Sequence, residues 1–147
     1  MVFFFNPKSK SKTKIKPISP DLFNQTSSKR DLGDALEKQT VDYLEQRGVT
    51  ILQRNYLCKM GEIDIIAQDK QNLVFIEVRY RRSDHFGGAL ASVNLKKQRR
   101  LIRAASHYMQ KCNITNKTAS RFDVIAISGN LNQLEFNWIK AAFLASA

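Results

Sequence analysis

The sequence predicts an α/β fold in which a central mixed β-sheet is flanked by helices. Three observations predict this fold: an amphipathic helical pattern that ends near residue 48, two neighbouring apolar strands joined by a polar turn, and a second amphipathic helix after them. The chain has 147 residues, of which 43% are hydrophobic, so it can form one packed core. A single domain is therefore expected.

The first half of the chain predicts one helix and three strands. The helix begins at a capping box, with Ser28 followed three positions later by an acidic residue, and it stops at Gly48. Residues 49–57 are rich in β-branched and aromatic side chains, which predicts a strand. Residues 61–67 and 73–79 are two apolar runs on either side of a short polar turn, and this pattern predicts a β-hairpin.

The second half predicts a loop, two helices and two strands. Residues 80–91 form the glycine-containing loop, and residues 92–112 form a helix whose lysines and arginines lie largely outside its apolar stripe. Residues 121–128 predict a strand, with Phe122, Val124 and Ala126 on one face. A short strand is expected at residues 134–136 and a closing helix at residues 138–144.

The net charge of +11 is divided unevenly along the chain. Residues 1–30 contain seven basic residues, one acidic residue and all three prolines, a composition that cannot bury enough apolar surface to fold. We therefore expect residues 1–28 to form a disordered basic arm and residues 29–147 to form the domain. The arm serves either as a solubilising tail or as a nonspecific phosphate-binding segment, and the sequence leaves both open.

A second basic region lies inside the domain. No acidic residue occurs between Asp84 and Asp123, whereas ten of the thirteen carboxylates lie in residues 31–84. An acid-free run of this kind favours a phosphate-binding surface, although a solvated helical face is the alternative. The expected phosphate-binding residues are Arg81, Arg82, Lys96, Lys97, Arg99, Arg100 and Arg103.

Composition also excludes several classes of protein. No apolar run approaches the roughly 18 residues of a membrane helix, and the first apolar residues are too few for an export signal. Cys58 and Cys112 are too few for a disulfide framework, and the two histidines have no zinc-ligand spacing. We expect a cytoplasmic protein with a polyanionic partner, nucleic acid in preference to a membrane surface.

The hairpin brings candidate catalytic residues together. If its turn centres on residues 70–71, Asp64 lies opposite Glu77, and Glu62 lies opposite Arg79. Two facing carboxylates destabilise a sheet unless a divalent cation binds both or one proton is shared. The alternative is a solvated Asp64 with Glu77 paired to an arginine, and a one-residue slip would separate the two carboxylates. The expected core-facing residues of the hairpin are Ile63, Ile65, Ala67, Val74, Ile76 and Val78.

Several short motifs occur in a fixed order: GDA at residues 33–35, GEID at 61–64, FIEVR at 75–79, RFDV at 121–124 and WIK at 138–140. In these motifs, with Glu37 and the arginines at 81–82, the chain resembles the small bacterial YraN-like family from about residue 31 to residue 143. That family is grouped with restriction-endonuclease-like nucleases and Holliday junction resolvases. The resemblance therefore implies a restriction-endonuclease-like sandwich and a nuclease-like domain.

The resemblance also implies roles for individual residues. Asp64 corresponds to the motif aspartate, Glu77 to the motif glutamate, and Glu37 to an additional carboxylate associated with Mg²⁺ or Mn²⁺. Arg79 stands where the general nuclease motif has lysine. Arginine can stabilise charge but cannot act as a base, so Arg79 is either catalytic through its charge or a structural partner of Glu62.

Two functions from different classes follow. The first is a metal-dependent endonuclease acting on DNA, selective for branched or junction-like structures, with Asp64, Glu77 and Arg79 catalytic. The second is a nucleic-acid-binding module that retains the nuclease fold with weak or no catalysis. A role on RNA fits the same charges but is expected less than DNA. Resolvase-like enzymes often act as dimers, so a homodimer is a further expectation.

Overall fold

The computed structural model describes residues 29–81, 91–130 and 133–145. The predictions for the arm at residues 1–28 and for Arg82 lie outside the described residues. Of the helices in the described ranges, none is both long enough and apolar enough to cross a membrane.

The described residues form two helices and five strands: α1 (Lys29–Glu45), β1 (Thr50–Cys58), β2 (Gly61–Asp69), β3 (Asn72–Arg81), α2 (Leu95–Lys111), β4 (Ser120–Asn130) and β5 (Gln133–Phe143). The strands form one sheet in the order β1-β2-β3-β4-β5. Every neighbouring pair is antiparallel except β3 and β4, which are parallel and are connected through α2. The predicted mixed sheet flanked by helices is confirmed.

Helix α1 covers one face of the sheet. Its buried side chains recur at helical spacing, and the Thr40 hydroxyl donates to the Leu36 carbonyl oxygen at 2.8 Å, which satisfies the polar group inside the core. The helix ends before Gly48, whose φ of 78° suits glycine. These residues pack with one side of the strands, and we call this the α1-side core: it includes Leu36, Tyr43, Leu44, Ile65, Val74, Ile76, Ile125 and Ile127.

Helix α2 covers the opposite face. Asn94 caps it by accepting the Lys97 backbone N–H at 3.0 Å, and Leu101, Ala104 and Ala105 face inward. We call the packing below α2 the α2-side core: it includes Ile63, Ile66, Phe75, Leu101, Phe122 and Val124. The sheet is thus covered on both faces, as expected for a parallel strand pair with a helical crossover.

The hairpin register is confirmed as far as the paired residues extend. Ile65 lies opposite Ile76 and Ile66 opposite Phe75, which is the predicted pairing. The recorded pairing stops there, one position before Asp64 and Glu77. Ile63 was expected to share a face with Ile65, but it packs in the α2-side core instead. Strict alternation therefore fails around Asp64, where β2 is no longer in register with β3.

The predicted closing helix at residues 138–144 is wrong, because residues 138–143 belong to β5 and residue 144 follows the strand. Trp138 and Ile139 pair with Ile125 and Val124 of β4, so sheet pairing overrides the helical propensity of an alanine-containing run. The register shifts between Phe122 and Val124, and opposite this shift Ala141 has a φ of 48°. This bulge breaks the period of two that would have identified a strand.

Candidate active site

The three predicted metal-binding carboxylates come from three elements of the fold. Glu37 is on α1, Asp64 on β2 and Glu77 on β3. Burial raises the pKa of Glu37 and of Glu77, and the negative charge of Asp64 raises both further. Asp64 thus interacts electrostatically with each of the other two, and we call the three residues the carboxylate cluster.

Asp64 is held by the backbone of the neighbouring strand. Its Oδ2 accepts the Val78 N–H at 2.8 Å, at the position where the β2–β3 ladder is no longer regular. Burial is the largest effect and raises the pKa of Asp64, against the opposing effects of this hydrogen bond and of the charges on Lys97 and Arg79. The bond fixes the direction of the carboxylate without neutralising its charge.

Glu77 is almost completely buried, with 2% of its side chain exposed. Its Oε1 accepts Arg79 Nη2 at 2.7 Å and Lys97 Nζ at 2.9 Å, while its Oε2 has no hydrogen-bond partner. Burial and then repulsion by Asp64 raise the pKa of Glu77 to about 7, even though Lys97 and Arg79 act in the other direction. Glu77 is thus a buried acid in which one oxygen is ion-paired and the other has no hydrogen-bond partner.

Glu37 borders the same cluster from the helix side. Its Oε2 is buried without a hydrogen bond and lies 3.8 Å from Arg54 Nη2. Burial followed by repulsion from Asp64 raises its pKa, and the hydrogen-bonded side chain of Asn55 opposes this shift. The site therefore combines three carboxylates with three cationic side chains, Arg54, Arg79 and Lys97.

Unsatisfied polar atoms concentrate here. In the described parts of the chain, four buried side-chain atoms lack a hydrogen-bond partner, and three of them belong to Glu37, Glu77 and Arg79. Native proteins satisfy nearly all buried polar groups, so each of these atoms requires an explanation. Three of the four belong to residues of the candidate site.

The donor chemistry of the site suits a divalent cation. Mg²⁺ prefers oxygen ligands and is commonly bound by one or two carboxylates together with waters and substrate phosphates. Asp64 and Glu77 supply such a pair, and Glu77 Oε2 is buried without a hydrogen-bond partner. Within residues 29–81, 91–130 and 133–145, no group of three or more His, Cys, Asp or Glu side chains is placed to hold a metal ion. The shared metal role of Glu37, Asp64 and Glu77 stays a prediction.

Arg79 and Lys97 have different partners from those considered in the sequence. Arg79 pairs with Glu77 on its own strand rather than across the hairpin with Glu62. Lys97 was assigned to the phosphate-binding surface, yet only 28% of its side chain is exposed and its ammonium contacts Glu77. The signal was in the helix periodicity: Lys97 lies four residues before buried Leu101, on the inner stripe of α2. A lysine thus reaches the site from the helix.

The other predicted phosphate-binding residues within the described ranges lie on the surface. Arg81 is exposed at the end of β3. Four further basic residues are exposed on the same helix that carries Lys97, and they are Lys96, Arg99, Arg100 and Arg103. We call these four the α2 basic face. The α2 basic face lies on the same helix that contributes Lys97 to the carboxylate cluster. One polyanion could therefore contact both the α2 basic face and the carboxylate cluster.

The raised pKa of Glu77 predicts a pH-dependent stability. Glu77 loses its proton near pH 4.5 in the unfolded chain but only near pH 7 in the folded protein, so the folded state binds more protons between these values. Its contribution to the free energy of unfolding should fall as pH rises, by about 3 kcal/mol at most. Urea unfolding of the wild type and Glu77→Gln between about pH 5 and pH 8 measures this difference. Equal pH profiles for the two proteins would contradict it.

Comparison with known proteins places these residues in a shared sequence family. The family model described as "Uncharacterised protein family UPF0102" matches residues 36–127, a range that includes Glu37, Asp64, Glu77 and Lys97. A UPF0102 protein of Nitrosococcus oceani is 45% identical over 114 residues, which cover 78% of this chain and 92% of that protein.

Other relatives match to a similar extent. A UPF0102 protein of Legionella pneumophila is 43% identical over 78% of this chain and 95% of its own length. A UPF0102 protein of Hahella chejuensis is 50% identical over 77% of this chain and 90% of its own length. The matched segments thus cover nearly the whole length of these relatives and more than three quarters of this chain.

Proposed function

The chain belongs to the uncharacterised protein family UPF0102, and we propose that it is a cytoplasmic, metal-dependent endonuclease that acts on DNA. One observation carries the proposal: buried carboxylates with unsatisfied oxygens form a cluster next to a basic helix. Such a cluster is costly to the fold, which indicates that it is retained for chemistry. The motif resemblance to nucleases supports the same assignment.

Each side chain has a role in phosphodiester hydrolysis. Asp64 and Glu77 would hold Mg²⁺ or Mn²⁺, with Glu37 as a neighbouring carboxylate. When bound, the ion supplies charge neutralisation and a more acidic water. The Lys97 ammonium contacts Glu77 Oε1 and can stabilise the negative charge of a phosphate bound beside Glu77. Arg79 contacts the same oxygen and supplies a second, permanent positive charge.

The α2 basic face would bind the phosphate backbone. Phosphate contacts position a substrate without reading its sequence, so a preference for branched or junction-like DNA is part of the proposal. A symmetric junction presents two equivalent strands, which suits a homodimer. Binding through these side chains should weaken steeply with salt, because counterions are released on association.

A nucleic-acid-binding module without catalysis is the second candidate. Lys97 and Arg79 already neutralise Glu77 in part, and no three-ligand metal group occurs in the described residues. This arrangement favours a site that binds phosphate without a metal. Calorimetry discriminates the two: Mg²⁺ or Mn²⁺ binding that disappears in Asp64→Asn supports the nuclease, whereas junction binding without any cation binding supports the module.

The direct test is cleavage. Purified protein with labelled four-way-junction, flap and linear DNA should cleave the branched substrates in Mg²⁺ or Mn²⁺ and should be inactive in EDTA, because the carboxylates need a cation to bring a phosphate near them. Matched RNA substrates, which we expect to be cleaved less, test the choice of nucleic acid. Absence of cleavage on every substrate despite cation and DNA binding would contradict the nuclease assignment.

A further inference from the structure

A cleft opens beside the candidate active site. It has a volume of about 230 Å³, lies against α1 and the second half of β3, and is lined by Leu32, Gly33, Leu36, Glu37, Val78 and Tyr80. For comparison, an apolar protein cavity of about 150 Å³ holds a benzene ring. The cleft is therefore large enough for a single planar ring system.

Gly33 is the residue that keeps part of this volume open. It lies inside α1, where glycine is the poorest helix former apart from proline. No atom of the described residues lies within 4 Å of the position that its Cβ would occupy, so packing among them does not require a glycine. The space beside Gly33 is therefore open to a larger side chain, which makes this position suitable for testing the cleft.

The lining groups suit a nucleobase. The Tyr80 hydroxyl donates to the Gly129 carbonyl oxygen at 3.0 Å, which anchors an aromatic ring at the wall of the cleft. Aromatic side chains stack on bases, and the aliphatic walls exclude water from the ring faces. Glu37 places a carboxylate in the lining of the cleft, and a carboxylate can accept an exocyclic amino group such as cytosine N4.

The cleft is also continuous with the carboxylate cluster. Glu37 lines the cleft and interacts with Asp64, and Val78 lines the cleft while its N–H holds Asp64 Oδ2. We propose that this cleft binds one unpaired nucleobase of DNA next to the phosphate held at the carboxylates, and that it favours cytosine over thymine. The proposal rests on the nucleic-acid part of the proposed function and would explain selectivity for branched substrates, whose bases can leave the stack.

The test measures binding in Mg²⁺ at times when gel analysis shows that the DNA is still intact, because the carboxylates need a cation to hold a phosphate near them. Fluorescence anisotropy compares a duplex that carries one unpaired cytosine with a fully paired duplex of the same length. The wild type should favour the unpaired base by about tenfold, within the range measured for stacking of one base on an aromatic side chain. Gly33→Leu fills the cleft and should remove this preference, whereas Gly33→Ala, which adds one methyl group, should retain most of it.

Further readouts separate folding and base choice from binding. Both Gly33 variants should melt at higher temperature than the wild type, because the helix gains a better helix former. Replacing the unpaired cytosine by thymine should reduce the preference several-fold, because thymine has no exocyclic amino group. A folded Gly33→Leu protein that keeps the full preference, or a wild type without one, overturns the proposal.

This outcome is separable from that of the nuclease assignment. A preference for the unpaired base without any metal-dependent cleavage would retain the cleft proposal and reject the enzyme. Cleavage that is unaffected by Gly33→Leu on every substrate would reject the cleft proposal and retain the enzyme.

Discussion

Asp64→Asn and Glu77→Gln should each reduce metal-dependent cleavage by a factor on the order of 10²–10³, the range measured when one preorganised electrostatic group is removed from an active site. Both substitutions preserve shape and remove one negative charge from the pair that would hold the cation. In Asp64→Asn the side-chain oxygen can still accept the Val78 N–H, so the local backbone is retained. Initial cleavage rates on the same branched DNA measure the effect.

The same two variants should unfold at higher denaturant concentration than the wild type near pH 8. Burial and mutual repulsion raise the pKa of Asp64 and Glu77, so their charged forms cost stability in the folded protein. A gain in stability together with a loss of activity is the pattern expected of a functional site. A Glu77→Gln variant that is less stable than the wild type would indicate instead that the ion pairs with Lys97 and Arg79 stabilise the fold by more than burial of the Glu77 charge costs.

Glu62→Gln is the matched control for these variants. Glu62 lies two residues from Asp64 in the same strand and the same sequence motif, but its side chain is exposed. It should change neither the cleavage rate nor the denaturation midpoint appreciably, because surface charges contribute little. Equal activity losses in Glu62→Gln and Asp64→Asn would show that the charge of the strand, rather than the cluster, is what matters.

The regular parts of this fold follow from the sequence because local patterns specify them. The period of the α1 stripe, the stop at Gly48 and the hairpin register are all set by residues close together in the chain. The hairpin register predicted that Asp64 and Glu77 lie close together, although the recorded pairing ends one position before them. The alternation of residues in β4 also correctly predicted Phe122 and Val124 on one face, and the structure has Ile125 and Ile127 on the other.

The failures occur where distant contacts override the local pattern. At β5 a bulge interrupts the alternation, and the buried Asp123 side chain stabilises it: Oδ1 accepts the Ala141 N–H at 2.9 Å and Oδ2 accepts Trp138 Nε1 at 2.8 Å. Asp123 also forms a local ion pair, with Arg121 Nε 3.0 Å from its Oδ1. Its longer-range hydrogen bonds could not be inferred, because their donors follow 15 and 18 residues later.

Lys97 was predicted to bind phosphate on the surface, but in the structure it contacts a predicted catalytic residue, Glu77. Arg79 stands at the expected lysine position, and the sequence alone therefore indicated a weakened site. In the structure an amine does reach Glu77, but from α2 rather than from β3. An ammonium and a guanidinium share one carboxylate oxygen, so the arginine is not the only positive group available for charge stabilisation.

Lys97→Met should therefore reduce cleavage by a factor on the order of 10², with a much smaller loss of DNA affinity. Lys96→Met is its matched control, since Lys96 is the preceding residue on the same helix, carries the same charge and is exposed. Lys96→Met should weaken binding slightly and reduce its salt dependence, while the single-turnover rate at saturating protein stays unchanged. The two adjacent lysines thus separate chemistry from phosphate binding.

The conservative variant Lys97→Arg gives this comparison its sharpest outcome. If Lys97 acts only as one more phosphate-binding cation, arginine should restore most of the lost function, because it keeps the charge. If the ammonium must fit beside Arg79 on Glu77 Oε1, the larger planar group should not fit there, and the single-turnover rate should remain low while DNA affinity recovers. Two results would contradict this role: full recovery of the rate in Lys97→Arg, or equal behaviour of Lys96→Met and Lys97→Met. Either result would show that Lys97 acts as a phosphate-binding residue and that Arg79 is the charge-stabilising group of the site.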